Sequence, residues 1–300
     1  MNSGAIWPDA SRREVLAGFA AAGAGAFAGR AAMASGSQRP LGLAHLTVAR
    51  ELSEDYVGTL LRVRALGYTH FGFPLGAQSP RQAPPADPQQ VASWCRQAGL
   101  AVGTVRLAYS DDYPRQMQLA SSIGASIVAQ SAADVFFTGE TPGQTTRASF
   151  EGWMDRLEIM ARAARAEGLR LVYHNHAWDH VPLDGLTPLE LIANRFAPGE
   201  VDFEIDLGWA AVAGVDPLAL IEGLGPRVLA LHLKDVDRGC TANGCRQFVA
   251  PGKGDLDYRA MLPKLHQLTD AIGYIEVDDP EDGLRAAATG AETLLRAERT

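Results

Sequence analysis

The segment FEGWMDRLEIMARAARAEGLRLVYHNH, residues 150–176, contains the repeating unit that decides the fold. Its first part, residues 150–168, is amphipathic and ends at Gly168, which suits the left-handed cap of a helix. Its second part, residues 169–176, is a short run rich in strand-forming residues. The segment therefore predicts a helix that leads directly into a strand.

The same alternation of strand and helix recurs along the chain from residue 41. We predict strands at residues 41–48, 68–74, 100–108, 125–131, 169–176, 201–208, 227–235 and 273–279. We predict helices at residues 55–67, 87–99, 113–124, 150–168, 187–196, 216–225, 256–268 and from about residue 281. Such alternation indicates parallel strands joined by crossover helices. Eight units predict a closed α/β barrel of the (β/α)8 TIM type, with an open doubly wound sheet as the alternative.

Residues 1–34 have the features of an export signal. Arg12 and Arg13 form a basic pair ahead of the short apolar run AGFAAAGAGAFAG, and AMA follows as a small-residue cleavage site. This order is that of a twin-arginine leader, so we expect export to the periplasm and cleavage after Ala34. The alternative is a chance basic pair before an Ala-rich helix. Residues 35–300 are predicted to form a single barrel domain, and these 266 residues are close to the ~250 typical of the fold.

The charge of the chain excludes several classes of partner. The full sequence carries a net charge of −8, and removal of the leader would leave −9, because the leader has one net positive charge. An acidic surface without a run of basic residues repels phosphate backbones and anionic lipids. No stretch of the predicted domain reaches the ~20 apolar residues that a membrane span requires. We therefore expect neither nucleic acid nor a membrane as a partner.

The three cysteines leave two alternatives open. Cys240 and Cys245 flank the short segment TANG, so they either close a loop disulfide in an oxidising compartment or remain thiols. Cys95 lies within a predicted helix, where we expect a buried free thiol. Because the chain has no second cysteine pair, this spacing does not indicate a zinc site.

Polar residues end four consecutive predicted strands, at the edge where barrels of this kind carry their active sites. Because side chains alternate between the two faces of a strand, residues two positions apart share a face. One face of these strands is then polar, and the other is apolar and suits the helix-facing side. The polar set consists of His174, His176, Glu204, Asp206, His232, Lys234, Glu276 and Asp278. We predict that it points into the mouth of the barrel.

Burial of this polar set is costly unless its members have partners. A divalent cation would supply one, and two imidazoles with two carboxylates suit Mn²⁺, Fe²⁺, Co²⁺ or Zn²⁺ better than Mg²⁺ or Ca²⁺. The alternative is that each residue is a hydrogen-bonded polar group at the barrel rim, and for a single residue such as Glu204 this is the simpler interpretation. Polar pairs at matching depth on four neighbouring strands favour the metal site.

Five motifs resemble the successive signatures of the sugar phosphate isomerase/epimerase family, the xylose isomerase-like TIM barrels. They are YHNHAWDH (173–180), IDLGWAAVAGVDP (205–217), RVLALHLKD (227–235), GKGDLDYRAML (252–262) and YIEVDDP (274–280). The resemblance covers residues 41 to 298 and is specific for the superfamily rather than for a substrate. It implies a barrel that acts on a sugar with one divalent metal. The family also includes inosose dehydratases.

The resemblance implies four metal ligands, His174, Asp206, His232 and Glu276. It implies Mn²⁺ as the metal, with Fe²⁺, Co²⁺ or Zn²⁺ as alternatives. The chain departs from the family pattern at His174, where tagatose-epimerase-like members have a Glu, and at Gly72, where a Glu is common. The first departure removes one of the two carboxylates with which those epimerases move protons.

The same resemblance implies catalytic and substrate-binding roles. We expect His176 to replace the missing carboxylate as the base, since an imidazole pKa near ~6.5 suits proton transfer around neutrality. Glu276 is the second expected proton-transferring group, and Lys234 would add positive charge. His180 is expected to be a loop residue without a role. The candidate sugar contacts are Trp178, Asp179, Trp209 and His45.

We expect the protein to be a metal-dependent sugar isomerase or epimerase that works through an enediolate on a free or oxidised sugar. The alternative is a lyase or dehydratase that uses the same site for β-elimination from a keto-inositol or a 3-keto-glycoside, because elimination requires only one base. A third candidate is a sugar-binding barrel without activity. The expected partner is a small-molecule sugar, and a homo-oligomer is compatible with the sequence.

Overall fold

The computed structural model describes residues 39–77, 86–137, 141–240 and 247–297. The predicted leader, residues 1–34, lies outside the described residues, and so does Cys245. Cys240 is disulfide-bonded, and Cys95 is a buried free thiol as predicted. Among the described helices, none combines the length and the apolarity needed to cross a bilayer.

A closed barrel of eight parallel strands forms the centre of the described structure, as the sequence predicted. The described residues form ten strands, eight of which belong to the barrel. In chain order they are β1 (Leu41–Ala44), β2 (His70–Pro74), β3 (Ala101–Arg106), β4 (Ile127–Gln130), β5 (Arg170–His174), β6 (Asp202–Asp206), β7 (Val228–Leu233), β8 (Asp235–Val236), β9 (Phe248–Val249) and β10 (Ile272–Ile275). Strands β8 and β9 form a separate antiparallel hairpin. The other eight close the barrel, with β1 paired to both β2 and β10.

Helices surround the barrel and connect its strands. They are α1 (Ala49–Glu54), α2 (Tyr56–Ala65), α3 (Pro88–Ala98), α4 (Tyr113–Ser122), α5 (Ala133–Phe137), α6 (Arg147–Ala166), α7 (Pro188–Arg195), α8 (Leu207–Val212), α9 (Pro217–Leu224), α10 (Tyr258–Leu268) and α11 (Gly283–Ala297). Their starts follow local capping chemistry. Asp87 accepts a hydrogen bond from Gln89 N at the start of α3, and Thr187 forms a capping box with Glu190 at the start of α7.

Most strands end earlier than predicted. Beyond several strand ends, a backbone N–H group donates to a side-chain oxygen instead of to a carbonyl group of the neighbouring strand. Strand β1 ends at Ala44, and a 3₁₀ turn covers His45–Val48. Beyond β10, Val277 N donates to the side chain of Thr47 at 3.0 Å rather than to a neighbouring strand. The predicted pattern also did not include the β8–β9 hairpin or the short helices α1, α5 and α8.

The predicted sorting of polar and apolar faces is confirmed. Tyr173, Phe203 and Ile205 are fully buried on the helix-facing side, where the ring of Tyr173 packs 5.5 Å from that of Trp153 on α6. This apolar packing turns the alternate residues of the same strands toward the barrel interior.

Tyr274 fills the barrel interior at a point two residues before the predicted ligand Glu276. Its ring passes so close to Gly42 and Gly103 that a Cβ atom at these positions would lie 2.2 Å and 2.6 Å from the nearest ring carbons. Its hydroxyl accepts a hydrogen bond from Thr104 N at 3.0 Å. Two glycines therefore make room for one aromatic ring that supports the polar residues beyond it.

Candidate active site

A cavity of about 500 Å³ opens at the carboxyl ends of the barrel strands, where enzymes of this fold carry their active sites. Its volume lies within the range of small-molecule sites. Seven residues predicted for the site line it: His174, His176, Trp178, Trp209, Lys234, Glu276 and Asp278. We refer to His174, Asp206, His232, Lys234 and Glu276 as the polar cluster and to His176, Trp178, Trp209 and Phe248 as the aromatic cluster.

Three residues of the polar cluster can hold a metal ion. One ligand atom each from His174, Asp206 and His232 lies within 4.8 Å of the others, and all three residues are buried. They meet because β5, β6 and β7 are neighbours in the barrel, with Asp206 opposite His232 in register. The strand ends thus bring these predicted ligands together.

The donor set fits a divalent transition metal. Asp206 Oδ1 accepts a hydrogen bond from Trp209 N at 2.9 Å, which fixes the carboxylate at the start of α8. The other oxygen, Oδ2, is buried and accepts no hydrogen bond of regular geometry among the described residues, although Lys234 Nζ lies 3.1 Å away. An unsatisfied carboxylate oxygen beside two imidazoles suits Mn²⁺, Fe²⁺, Co²⁺ or Zn²⁺.

Glu276, the fourth predicted ligand, lies next to this group of three. Its Oε2 is 2.9 Å from His232 Nδ1 and 2.9 Å from Lys234 Nζ. Burial lowers the pKa of His232, but the charges of Glu276 and Glu204 outweigh it and raise this pKa to about 10. Glu276 therefore orients the His232 ring, as carboxylates commonly do for metal-binding histidines.

Lys234 is a buried cation among three carboxylates. Its Nζ lies 3.1 Å from Asp206, 2.9 Å from Glu276 and 2.9 Å from Asp278. Burial lowers the pKa of Lys234, but the three carboxylates outweigh it and raise this pKa well above its usual value. Lys234 is thus charged at neutral pH and sits where the sequence predicted additional positive charge.

The structure adds a second, partly buried cation that the sequence did not reveal, Arg106 at the end of β3. Its Nη2 lies 3.0 Å from Glu204 Oε2, 3.1 Å from His174 Nδ1 and 3.5 Å from His232 Nε2. Burial and the charge of Arg106 lower the pKa of His174 to about 3, although Glu204 opposes this. Glu204 itself is fully buried, and the charges of His232 and Arg106 outweigh its burial and hold its pKa well below the usual range.

Two signals in the sequence point to this ion pair. Arg106 belongs to the final residues of the predicted strand 100–108, which is the position that marks site residues in a barrel. Glu204 shares the inward face with Asp206. The strands are not adjacent, so no local spacing connects the two residues.

The aromatic cluster forms a continuous row of rings beside the polar cluster. The His176 ring stacks on Trp178 at 4.2 Å with an interplanar angle of 11°, and Trp209 lies 5.4 Å from His176. Phe248 from β9 extends the row, 4.5 Å from Trp209. Trp178 Nε1 is buried without a hydrogen-bond partner among the described residues.

His176 lines the cavity as predicted, but not with the expected pKa. Burial, reinforced by the charges of His174 and Arg106, holds the pKa of His176 well below 6.5. Its Nδ1 is buried at the start of the 3₁₀ turn Ala177–His180. The imidazole is therefore neutral at neutral pH and able to accept a proton.

Asp179 does not have the predicted place in a sugar site. The residue is fully buried, with Oδ1 accepting a hydrogen bond from Tyr173 Oη and Oδ2 accepting one from His176 N at 2.7 Å. Because both oxygens already have internal donors, the prediction of a sugar contact is wrong. Asp179 instead fixes the turn that presents His176.

His45, also predicted as a sugar contact, does not belong to the described lining of the large cavity. It borders a second cavity of about 10 Å³, which has room for about one water. Burial lowers the pKa of His45 to about 4. Gly72 borders the same space, and a Cβ atom there would lie 2.9 Å from the carbonyl oxygen of Thr104. The Glu that is common at this position in the family therefore has no room here.

His180 lies beyond the end of β5, as predicted, and is buried in the turn there. Its Nε2 lies 3.2 Å from Asn175 Nδ2, and burial lowers the pKa of His180 to about 4. Asn175 in turn accepts a hydrogen bond from Asp206 N at 2.8 Å. His180 therefore supports the position of Asp206 through Asn175, without a direct contact to the metal-binding group.

The closed parallel barrel, with a polar cavity at the carboxyl ends of its strands, defines the fold class of the chain. A family model for the xylose isomerase-like TIM barrel matches residues 60–297. The chain belongs to this family, which confirms the resemblance that the motifs indicated.

Individual relatives are more distant. An inosose dehydratase of Geobacillus kaustophilus is 28% identical over 155 residues, which are 48% of this chain and 49% of the relative. An inosose dehydratase of Lactiplantibacillus plantarum is 32% identical over 131 residues, covering 40% of this chain and 43% of the relative. The chain thus spans about half the length of these curated relatives. The fold is similar to that of a sugar phosphate isomerase/epimerase from Parabacteroides distasonis, with a TM-score of 0.71 and 17% identity over 87% of this chain and 95% of the other.

Proposed function

We propose that the protein is a divalent-metal-dependent lyase that removes water or an alcohol from a keto-sugar or a keto-polyol. In this reaction the C–H bond beside the carbonyl breaks and a C=C bond forms. The C–O bond to the leaving group breaks, and the leaving oxygen takes up a proton. The curated relatives are named as dehydratases, which are lyases, and this supports the same choice.

The observation that carries the proposal is the bonding of His174. It stands where the two-carboxylate epimerases that the sequence resembles have a Glu, and its Nδ1 lies 3.1 Å from Arg106 Nη2 and 3.0 Å from Glu204 Oε2. With Nδ1 engaged by two charged groups and the other ring nitrogen assigned to the metal, His174 is not available to return a proton to carbon. Elimination requires only one base, whereas epimerisation by two groups requires a base on one face of the carbon and a proton donor on the other.

His174, Asp206 and His232 would hold the metal, Mn²⁺ in our proposal, and Glu276 is the fourth predicted ligand. When bound, the metal would polarise the carbonyl group and stabilise negative charge on its oxygen. Because Glu276 Oε2 accepts from His232 Nδ1, coordination would use His232 Nε2, where the ion would take the place of a proton. Lys234 keeps a fixed positive charge beside these carboxylates.

His176 is the proposed base. The stacked Trp178 ring fixes the imidazole, which lines the cavity. A fixed neutral imidazole can take the proton from the carbon beside the carbonyl. The imidazolium formed in this way can then donate the same proton to the leaving oxygen, so no second group is needed on the opposite face.

The second candidate is a sugar isomerase or epimerase. It is favoured by the position of Glu276, which lines the cavity just beyond the end of β10, while His176 lines it just beyond β5. Two groups that can transfer protons therefore reach the cavity from separate strands. If Glu276 Oε1 served as the second donor, the same site would invert a stereocentre.

Product analysis separates the two candidates. Metal-loaded protein is incubated with a keto-inositol, a 3-keto-glucoside and a ketose, and the products are identified by NMR. Release of water or an alcohol together with an unsaturated product is expected, whereas formation of a stereoisomer alone would favour the epimerase. His176→Ala should lower turnover by about 10²- to 10⁴-fold with unchanged metal content. Wild-type protein that binds a sugar without converting any of these compounds would instead indicate a binding barrel.

We further propose that the protein is exported through the twin-arginine route. The support is the Arg12–Arg13 pair, the apolar run that follows and the small residues up to Ala34. Fractionation of cells that produce the full chain should place it in the periplasm with a new amino terminus after Ala34. Replacement of both arginines by lysine should retain the precursor in the cytoplasm, and unchanged export of that variant would contradict the proposal.

A further inference from the structure

The cavity continues beyond the polar cluster to a second group of polar residues, at the ends of β3 and β4. This distal cluster consists of Asp111, Tyr113, Asp134 and Arg156, all of which line the cavity. It lies on loop and helix residues that take no part in the proposed reaction. The cavity is therefore larger than the reacting part of a sugar requires.

The charges of the distal cluster are paired within it. Arg156 forms an ion pair with Asp134, and Tyr113 Oη donates to Asp111 Oδ1 at 3.0 Å. One guanidinium with two carboxylates leaves a net negative charge. Such a group recognises hydroxyls by donating and accepting hydrogen bonds, and it repels phosphate and carboxylate.

The cations nearer the metal-binding group are engaged as well. Arg106 pairs with Glu204 at 3.0 Å, and Lys234 contacts Asp206, Glu276 and Asp278 at 3.1, 2.9 and 2.9 Å. Along the described lining of the cavity, every Arg and Lys thus has a carboxylate partner. The phosphate group of a phosphorylated sugar would therefore meet only cations that are already paired with carboxylates.

The rim of the cavity near the distal cluster is apolar and exposed. Five large apolar side chains are exposed among the described residues: Leu46, Leu61, Tyr109, Phe137 and Ile159. Leu46 and Tyr109 line the cavity, and Phe137 packs edge-on against Trp178 at 4.9 Å. Exposed rings beside a cavity offer flat surfaces on which a sugar or an aromatic ring can stack.

Trp178 lies between the two ends. It is 7% exposed, lines the cavity, and its buried Nε1 has no hydrogen-bond partner among the described residues. A buried indole N–H normally has an acceptor, so a ligand hydroxyl that passes from the polar cluster to the distal cluster would satisfy it.

We propose that the distal cluster and the rim residue Tyr109 form a second subsite that holds the uncharged leaving part of a glycoside. This deepens the proposed lyase function and rests on it. The keto-sugar ring occupies the polar cluster, and the sugar or aromatic alcohol that departs occupies the distal subsite. The preferred substrate is thus a neutral keto-glycoside rather than a keto-polyol or a sugar phosphate.

Paired kinetics test the proposal. Tyr109→Ala and Arg156→Gln should each raise KM for a 3-keto-glucoside with an aromatic aglycone about tenfold, and leave kcat/KM for a keto-inositol within about twofold. The control is Arg162→Gln, on the same helix α6 but with a side chain 61% exposed and paired with Glu158. Equal losses on both substrates, no loss on the glycoside, or better turnover of a 6-phosphorylated substrate would overturn the proposal.

A binding measurement keeps this test independent of turnover. Phenyl β-glucoside and methyl β-glucoside carry no keto group, so neither undergoes the proposed reaction. Calorimetry should show the phenyl compound binding about tenfold more tightly to wild-type protein, and the difference should vanish in Tyr109→Ala. If the wild-type protein turned over no keto-sugar but kept this preference, the lyase proposal would fail and the subsite would stand. Equal binding of the two glucosides would remove the subsite.

Discussion

The carboxylate of Asp235 anchors the loop that follows β7. It is fully buried, and each of its two oxygens accepts two backbone hydrogen bonds. Oδ1 accepts from Val236 N at 2.8 Å and from Leu256 N at 3.0 Å. Oδ2 accepts from Gly252 N and Gly254 N, each at 2.9 Å. One side chain therefore satisfies four backbone donors, those of Val236, Gly252, Gly254 and Leu256.

Asp235→Asn keeps the shape of this side chain and removes half of its acceptors. In either orientation of the amide, its NH₂ group faces two backbone N–H donors. At ~1–3 kcal/mol for each unsatisfied donor, the free energy of unfolding should fall by about 2–6 kcal/mol. Guanidinium unfolding measures this loss, and hydrogen exchange should become faster at the amides of residues 252–256.

The matched control is Asp237→Asn, two residues along the chain. Asp237 is exposed, and its carboxylate accepts one hydrogen bond, from Gly239 N at 2.9 Å. This change should alter the free energy of unfolding by less than about 0.5 kcal/mol. If Asp235→Asn were as mild as the control, the backbone donors of the loop would have other acceptors, and the anchoring role of Asp235 would be refuted.

Three further predictions concern packing, pH and the metal. Gly42→Ala should lower the melting temperature by about 2–12 °C, because the new Cβ atom would lie 2.2 Å from the Tyr274 ring. The control is Gly152→Ala, whose Cβ atom would have no neighbour within 4 Å and which should not lower the melting temperature. The pKa of His180 is about 4 in the folded protein and ~6.5 in the unfolded chain, so the unfolded chain takes up the proton first as the pH falls. Acidification from pH 7 to pH 4 should therefore lower the free energy of unfolding by about 3 kcal/mol through His180. His180→Gln should remove this share of the pH dependence of unfolding. Chelation should abolish turnover, and Mn²⁺ should restore it; activity unaffected by chelation would contradict the metal site.

The barrel and most of its polar interior could be predicted from local patterns. All eight barrel strands follow from apolar runs placed between amphipathic helices, and strand parity places His174, Asp206 and His232 on the inward face. These patterns depend on residues close together in the chain, which is why they can be found without a structure. The exact strand ends could not be predicted, because side chains such as Asn175 replace backbone partners there.

Contacts between distant segments account for what was missed. Arg106 and Glu204 are 98 residues apart, and only barrel closure brings them together. The same holds for Tyr274, whose space depends on glycines in other strands. Asp179 was misplaced for a related reason. Its neighbours in the sequence suggested a sugar contact, whereas the fold directs its carboxylate to Tyr173 and the backbone of His176.

The central claim is that proton removal takes place from one face of the substrate carbon. The most direct measurement follows a 3-keto-glucoside in D₂O with metal-loaded protein, and determines by NMR the deuterium content and the configuration of the substrate that remains at partial conversion. A single base at His176 predicts an unsaturated product, with any deuterium in the recovered substrate found at retained configuration. Deuterium at inverted configuration would show that a second group returns the proton from the other face, and would contradict the claim.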